Sequence, residues 1–232
     1  MKTYSQNQEQ HYILEYFKLQ ENQMTFLEIG AYNPFTFSNT RALVEQGASG
    51  FYVEPSPKCF EEFIKEYYNS HLRVSNFQLE DSNHIYYCRQ IFKVPNKGID
   101  GIFLVNAAIG NEDKIIKFYD SNGDAISSTS IEHKDKWEAG YTVKYDEIDV
   151  QMMSMQTLLN HIEKIGIAID FLNLDVESTN IELFNLIPDL FWQRLKMICI
   201  EHDNQQDYII NKLQPFGFKE LLRNGENLIL AK

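Results

Sequence analysis

The stretch that decides the fold is FGFKELLRNGENLILA, Phe216 to Ala231. Two apolar runs, Phe216 to Arg223 and Glu226 to Ala231, flank Asn224-Gly225. Asn-Gly between such runs signals a hairpin, because both residues tolerate positive φ. Upstream, short apolar runs alternate with amphipathic helical patterns, as in an α/β protein with a parallel sheet. A parallel sheet that finishes in an antiparallel hairpin is not the usual layout of a dinucleotide oxidoreductase.

Working back from the hairpin, Gln205 to Leu213 is predicted as a helix. Lys196 to Ile200 is a strand that runs into Glu201-His202-Asp203. Asn180 to Trp192 is helical in pattern despite Pro188, and Ile169 to Leu174 is an apolar strand that runs into Asp175. Ser154 opens a helix that presents Leu158, Leu159, Ile162 and Ile165 on one side. Val143 to Met152 reads as a strand with one open face, and Gly101 to Ile109 as a single strand. Ser56 caps a helix with Pro57 at its first position. That helix buries Phe60, Phe63, Ile64, Tyr67 and Tyr68, which recur at helical spacing. Asn69 to Lys97 and Asp120 to Gly140 are polar connections.

The first strand, Thr25 to Ile29, ends in Gly30, and Ser38 caps a helix that ends at Gly47. The second strand, Phe51 to Val53, ends in Glu54. Ligands of open α/β sheets bind at the carboxyl ends of strands, where the strand order reverses. Gly30 lets the backbone approach a ligand, and Glu54 is placed to accept from both ribose hydroxyls. The G-x-G-x-x-G fingerprint is absent, since no glycine follows Gly30 before Gly47. A pyrophosphate is therefore disfavoured, and a phosphate-free nucleoside cofactor such as S-adenosylmethionine, with its positive sulfonium, suits the site.

The chain has 232 residues, with 21 basic against 33 acidic side chains and a net charge of −12. No basic stripe is present to neutralise phosphates, which argues against nucleic acid and against an anionic membrane surface as partners. No apolar run approaches the ~18 residues of a membrane span. The polar start, Met1 to Gln10, lacks a signal core. Cys59, Cys88 and Cys199 form no zinc or disulfide pattern and read as reduced thiols, so a cytoplasmic location is expected.

Several segments together resemble the FkbM-family methyltransferases. Leu27 to Thr40 (LEIGAYNPFTFSNT) is similar to the family's opening motif. Tyr52 to Pro57 is similar to its EPxP segment, Asn106 to Gly110 to NxAxG, Ile169 to Glu177 to DFLxxDVEG, and Asn227 to Leu230 to its closing strand. The implied fold is a class I methyltransferase Rossmann-like α/β sheet, mostly parallel with a C-terminal antiparallel hairpin, in one domain over residues 1–232. Residues 1–22 would form a helical extension that covers the cofactor or a second subunit. Residues 120–140 would fold over the substrate as a lid. Tyr32 departs from the family's His or Asn, Ser178 from its Gly, and Asn180 from its acid.

The resemblance implies S-adenosylmethionine-dependent methyl transfer to a hydroxyl of a sugar, glycan or natural product. The implied cofactor-binding set is Glu28, Gly30, Ala31, Tyr32, Ser38, Glu54, Pro55, Asn106 and Ala107. Asp175 faces the cofactor's amino group or the acceptor hydroxyl. His202 follows the next strand, and an imidazole there suits a general base. His133 and Ser127 to Ser130 lie in the lid segment. A competing mechanism places Mg²⁺ on Asp175, Glu201 and Asp203 to lower the acceptor's pKa. Two other readings of the fold are a non-catalytic scaffold and an NAD-type oxidoreductase with a broken fingerprint.

Overall fold

The computed structural model of the protein describes residues 2–18, 24–68, 85–88 and 101–232. In chain order these form α1 (Glu9–Lys18), β1 (Thr25–Ile29), α2 (Arg41–Glu45), β2 (Ser49–Val53), α3 (Pro57–Tyr68), β3 (Ile85–Cys88) and β4 (Ile102–Val105). Next come β5 (Ala108–Gly110), β6 (Lys114–Asp120), α4 (Ile131–Gly140), β7 (Asp146–Ser154), α5 (Met155–Lys164) and β8 (Phe171–Leu174). The chain ends with α6 (Asn180–Leu186), α7 (Asp189–Arg194), β9 (Met197–Glu201), α8 (Gln206–Leu213), β10 (Lys219–Arg223) and β11 (Asn227–Ala231). Apart from Ile85–Cys88, the polar connection expected from Asn69 to Lys97 lies outside the described residues.

The main sheet runs β10-β11-β9-β8-β1-β2-β4-β3. The pairs β1–β2, β1–β8, β2–β4 and β8–β9 are parallel. Alternation along each strand divides the core between the sheet's faces. Leu27, Ile29, Phe51, Val53, Leu172 and Leu174 pack with α5 to α8. Phe26, Tyr52, Leu104 and Phe171 face α1 to α3. Burial on both faces is why these strands read as continuous apolar runs.

The hairpin forms, and β11 inserts antiparallel to both β9 and β10. Its turn differs from the expected one. Arg223 pairs with Leu228, and Asn224 to Glu226 make the connection between the strands. Neither Asn224 nor Gly225 has positive φ. The Asn224 Oδ1 instead accepts from the Glu226 and Asn227 backbone N–H at 2.9 and 2.7 Å.

Three other elements depart from expectation. The 101–109 strand breaks after Val105, and its second half, β5, joins β7 and β6 in a separate three-stranded sheet. The helix expected from Asn180 to Trp192 splits into α6 and α7. Ile187, before Pro188, is extended at φ −76 and ψ 124, as the proline ring demands. The N-terminal helix spans only Glu9–Lys18 among the described residues, and it covers the sheet. Its Ile13, Leu14 and Phe17 pack with Phe26, Phe171 and Ile229.

Candidate functional site

The strand order reverses between β1 and β8, and a cleft opens at their carboxyl ends. Gly30 leaves β1 at φ +81, and a Cβ there would lie 1.6 Å from the Asp175 carbonyl oxygen. The glycine is thus required first by the close approach of the β8 end, and only then by any ligand. The Gly30 and Ala31 N–H groups both donate to the Val53 carbonyl, at 3.0 and 3.1 Å.

Glu54 organises the next corner. Its carboxylate accepts from the Tyr32 N–H at 2.8 Å and the Ser56 N–H at 2.7 Å. Asn106 Nδ2 donates to the Glu54 carbonyl at 3.0 Å. The Glu54 side chain is buried and lines the cleft. Burial pushes its pKa up to about 7 against the pull of the two N–H donors. Each carboxylate oxygen keeps a lone pair for a further donor.

Of the residues expected to bind a cofactor, Gly30, Tyr32, Glu54, Pro55 and Ala107 line the cleft, as does Asp175. Glu28, Ala31, Ser38, Asn106 and His202 do not. Glu28 points into a buried polar chain, accepting from Asn173 Nδ2 at 3.1 Å and lying hydrogen-bonded to the Thr40 hydroxyl. Burial raises its pKa to about 8. The buried Ser38 Oγ accepts from the Arg41 N–H at 3.1 Å, at the start of α2.

His202 is buried between the end of β9 and the hairpin turn. Its Nδ1 accepts from the Asn204 N–H at 3.1 Å, and its Nε2 lies 3.2 Å from the Asn224 carbonyl. A carbonyl only accepts, so Nε2 carries the proton and Nδ1 is already occupied. The ring braces the hairpin and has no free lone pair to act as a base.

Asp175 sits among carboxyls. It is hydrogen-bonded to Glu201, and burial together with Glu201 and Glu177 holds its pKa well above the usual carboxylate range. The Asp175–Glu201 pair therefore shares a proton. Asn180 Nδ2 donates to Glu201 at 2.6 Å and to Asp203 at 3.2 Å, while its Oδ1 accepts from the Val176 N–H at 2.8 Å. An acid at 180 would add repulsion where this amide supplies a donor. The three residues of the Mg²⁺ alternative are thus neighbours, with the Asn180 amide bridging Glu201 and Asp203. Among the described residues no group of three or more His, Cys, Asp or Glu is arranged to hold a metal.

The opposite wall is Asp124 to Thr129, from the segment expected to form a lid. His133 lies behind it, with Nδ1 2.7 Å from the Ser178 hydroxyl and Nε2 3.1 Å from the Ile126 carbonyl. Glu177, at the end of the segment similar to DFLxxDVEG, also lines the cleft, with a pKa raised to about 8 by burial and by Glu201 and Asp203. The cleft's carboxyl side chains are Glu54, Asp124, Asp175 and Glu177, and no Lys, Arg or His stands among the described lining residues.

A mostly parallel sheet closed by an inserted antiparallel strand, with its cleft at the β1–β8 reversal, defines a class I methyltransferase fold. Residues 28–224 match the Methyltransferase FkbM domain. The chain belongs to this family. Among solved structures it is similar to the crystal structure of the methyltransferase FkbM from Methylobacillus flagellatus KT. That likeness has a TM-score of 0.49 and 10% identity, over 95% of this chain and 48% of that one. The chain thus spans about half the length of that protein. No curated relative matches the sequence. Among the described residues no helix is long and apolar enough to cross a membrane.

Proposed function

We infer that the protein transfers a methyl group from S-adenosylmethionine to a hydroxyl of a small-molecule or glycan acceptor. The observation that carries this reading is the cleft's acidic lining, with four carboxyls and no described basic side chain. Such a wall attracts a sulfonium and an ammonium and repels a pyrophosphate, which separates this cofactor from NAD. When bound, S-adenosylmethionine supplies an electrophilic methyl group.

The residues divide the remaining work. Glu54 accepts ribose hydroxyls on its free lone pairs. Gly30, Tyr32, Pro55 and Ala107 form the walls around the nucleoside. Asp175 would hold the cofactor's ammonium as a carboxylate, with the proton it shares passing to Glu201. Glu177 takes the acceptor hydroxyl's proton, the role expected of His202. A carboxyl whose pKa lies near the working pH is effective in that role, worth about 10²–10⁴-fold. Alignment of acceptor and methyl supplies a further ~7–11 kcal/mol in favourable systems.

The test is thermal unfolding with S-adenosylhomocysteine, with NAD as control. At about 100 times its dissociation constant a ligand adds roughly 2.7 kcal/mol of stability. A rise with S-adenosylhomocysteine alone, abolished in Glu54→Ala, is expected. A rise with NAD alone would overturn the assignment.

A further inference from the structure

We propose that His133 and Ser178 form a catch that holds the 124–133 strap across the cleft and sets how long the cofactor stays bound. The retention role rests on the cofactor reading above; the catch itself does not. Glu177 and Ser178 both lie in the left-handed region, at φ 49 and 80. Side chains other than glycine are unfavourable there and persist where their surroundings impose them. Here the strap imposes them. Ser128 Oγ donates to the Glu177 carbonyl at 2.8 Å, and the Ser178 hydroxyl meets His133 Nδ1 at 2.7 Å.

The direction of the second bond follows from the ring's other nitrogen. His133 Nε2 lies 3.1 Å from the Ile126 carbonyl, which only accepts, so Nε2 carries the proton. Nδ1 is then an acceptor, and Ser178 O–H donates to it. Glycine, which the backbone at 178 favours, would lack this donor. The serine carries a conformational cost, and the hydrogen bond to His133 offsets it.

The rest of the strap shows why the catch matters. His133 is the one buried residue of α4. At its middle the strap is fixed to β6 independently, by the Tyr119–Ser128 backbone pair at 2.9 and 3.1 Å and by Ser127 Oγ on Asp120 at 3.4 Å. Opening the catch therefore frees the α4 side and leaves the β6 side anchored. Ser128 and Glu177 both line the cleft, so the bond between them closes the cavity's edge.

Two measurements on Ser178→Gly and His133→Ala test this. Hydrogen exchange of the free protein is expected to show amides of residues 126–137 exchanging about 3–10-fold faster in both variants, the factor of one net hydrogen bond. The melting temperature of Ser178→Gly is expected not to fall, because glycine relieves the left-handed backbone. Unchanged exchange would overturn the catch. S-adenosylhomocysteine dissociation, followed by stopped flow, is expected to accelerate by a similar factor. In the double variant it should accelerate no further. Lost protection with an unchanged dissociation rate would overturn the retention role. Lost protection in a protein that binds no S-adenosylhomocysteine would uphold the catch and overturn both the cofactor reading and the retention role.

Discussion

A Cβ at position 30 would meet the Asp175 carbonyl oxygen at 1.6 Å, on a residue already at φ +81. Gly30→Ala is expected to cost about 3 kcal/mol or more, combining overpacking with an unfavourable left-handed backbone. Urea denaturation reads this directly, and an unshifted midpoint would refute it. Asp175 behaves oppositely. It is held beside Glu201 and Glu177 with its pKa far above the usual range. Asp175→Asn keeps a donor toward Glu201 and removes a charge that the fold resists. The variant is expected to be about 1 kcal/mol more stable near neutral pH, while methyl transfer falls by about 10²-fold or more, a trade of function for stability. Denaturation and turnover on the same preparation check both halves. A variant that is less stable than the parent would show that the carboxyl is not under strain.

At the scale of elements, α1 depends on Glu9. Its buried Oε1 accepts from Asn224 Nδ2 at 2.8 Å and Asn227 Nδ2 at 3.0 Å, while Oε2 accepts from the Asn7 N–H at 2.7 Å. Glu9→Ala strands those donors and is expected to cost about 1–3 kcal/mol. Hydrogen exchange should show α1 opening before the sheet, and cooperative loss of both together would contradict this. The elements also show what was legible in the sequence. The parallel frame was readable because both faces of β1, β2, β8 and β9 are buried, which leaves unbroken apolar runs. The hairpin was readable from its flanks, whereas its turn was not, because a side-chain acceptor on Asn224 replaced the positive φ that Asn-Gly suggests. The second sheet was hidden because the first halves of β6 and β7 are largely exposed. In the site, Gly30, Glu54 and Asp175 were legible as strand-end residues. Glu28 and Ser38 carry the same motif but turn beneath the cleft, and the pairing of Asp175 with Glu201 joins two strands that no local pattern links.

Across the whole molecule, buried carboxyls couple stability to pH. Glu28 and Glu177 have pKa values raised to about 8 and Glu54 to about 7. In the unfolded chain a glutamate titrates near ~4.3. Between these values the folded state holds protons that the unfolded chain has released. Stability is therefore fully present below the unfolded pKa and is lost as pH rises through the folded one, at about 1.4 kcal/mol per pH unit for each such group. The free protein is expected to melt at a higher temperature near about pH 6 than near about pH 8. Glu28→Gln should flatten part of that slope without loss of fold. Glutamine's carbonyl can accept from Asn173, as Glu28 Oε1 does, and its amide can donate to the Thr40 hydroxyl, which donates to Glu28 in the parent. Thr40 is then free to donate to the Tyr52 hydroxyl, 2.9 Å away. Affinity for S-adenosylhomocysteine should run the other way. Its ammonium favours the ionised forms of Asp175, Glu177 and Glu54, so binding strengthens over the range in which the free fold weakens. Melting temperatures with and without S-adenosylhomocysteine at the two pH values measure both slopes. Parallel slopes would mean that the cleft carboxyls do not meet the cation, and opposite slopes would tie the acids that weaken the free fold to the ligand they hold.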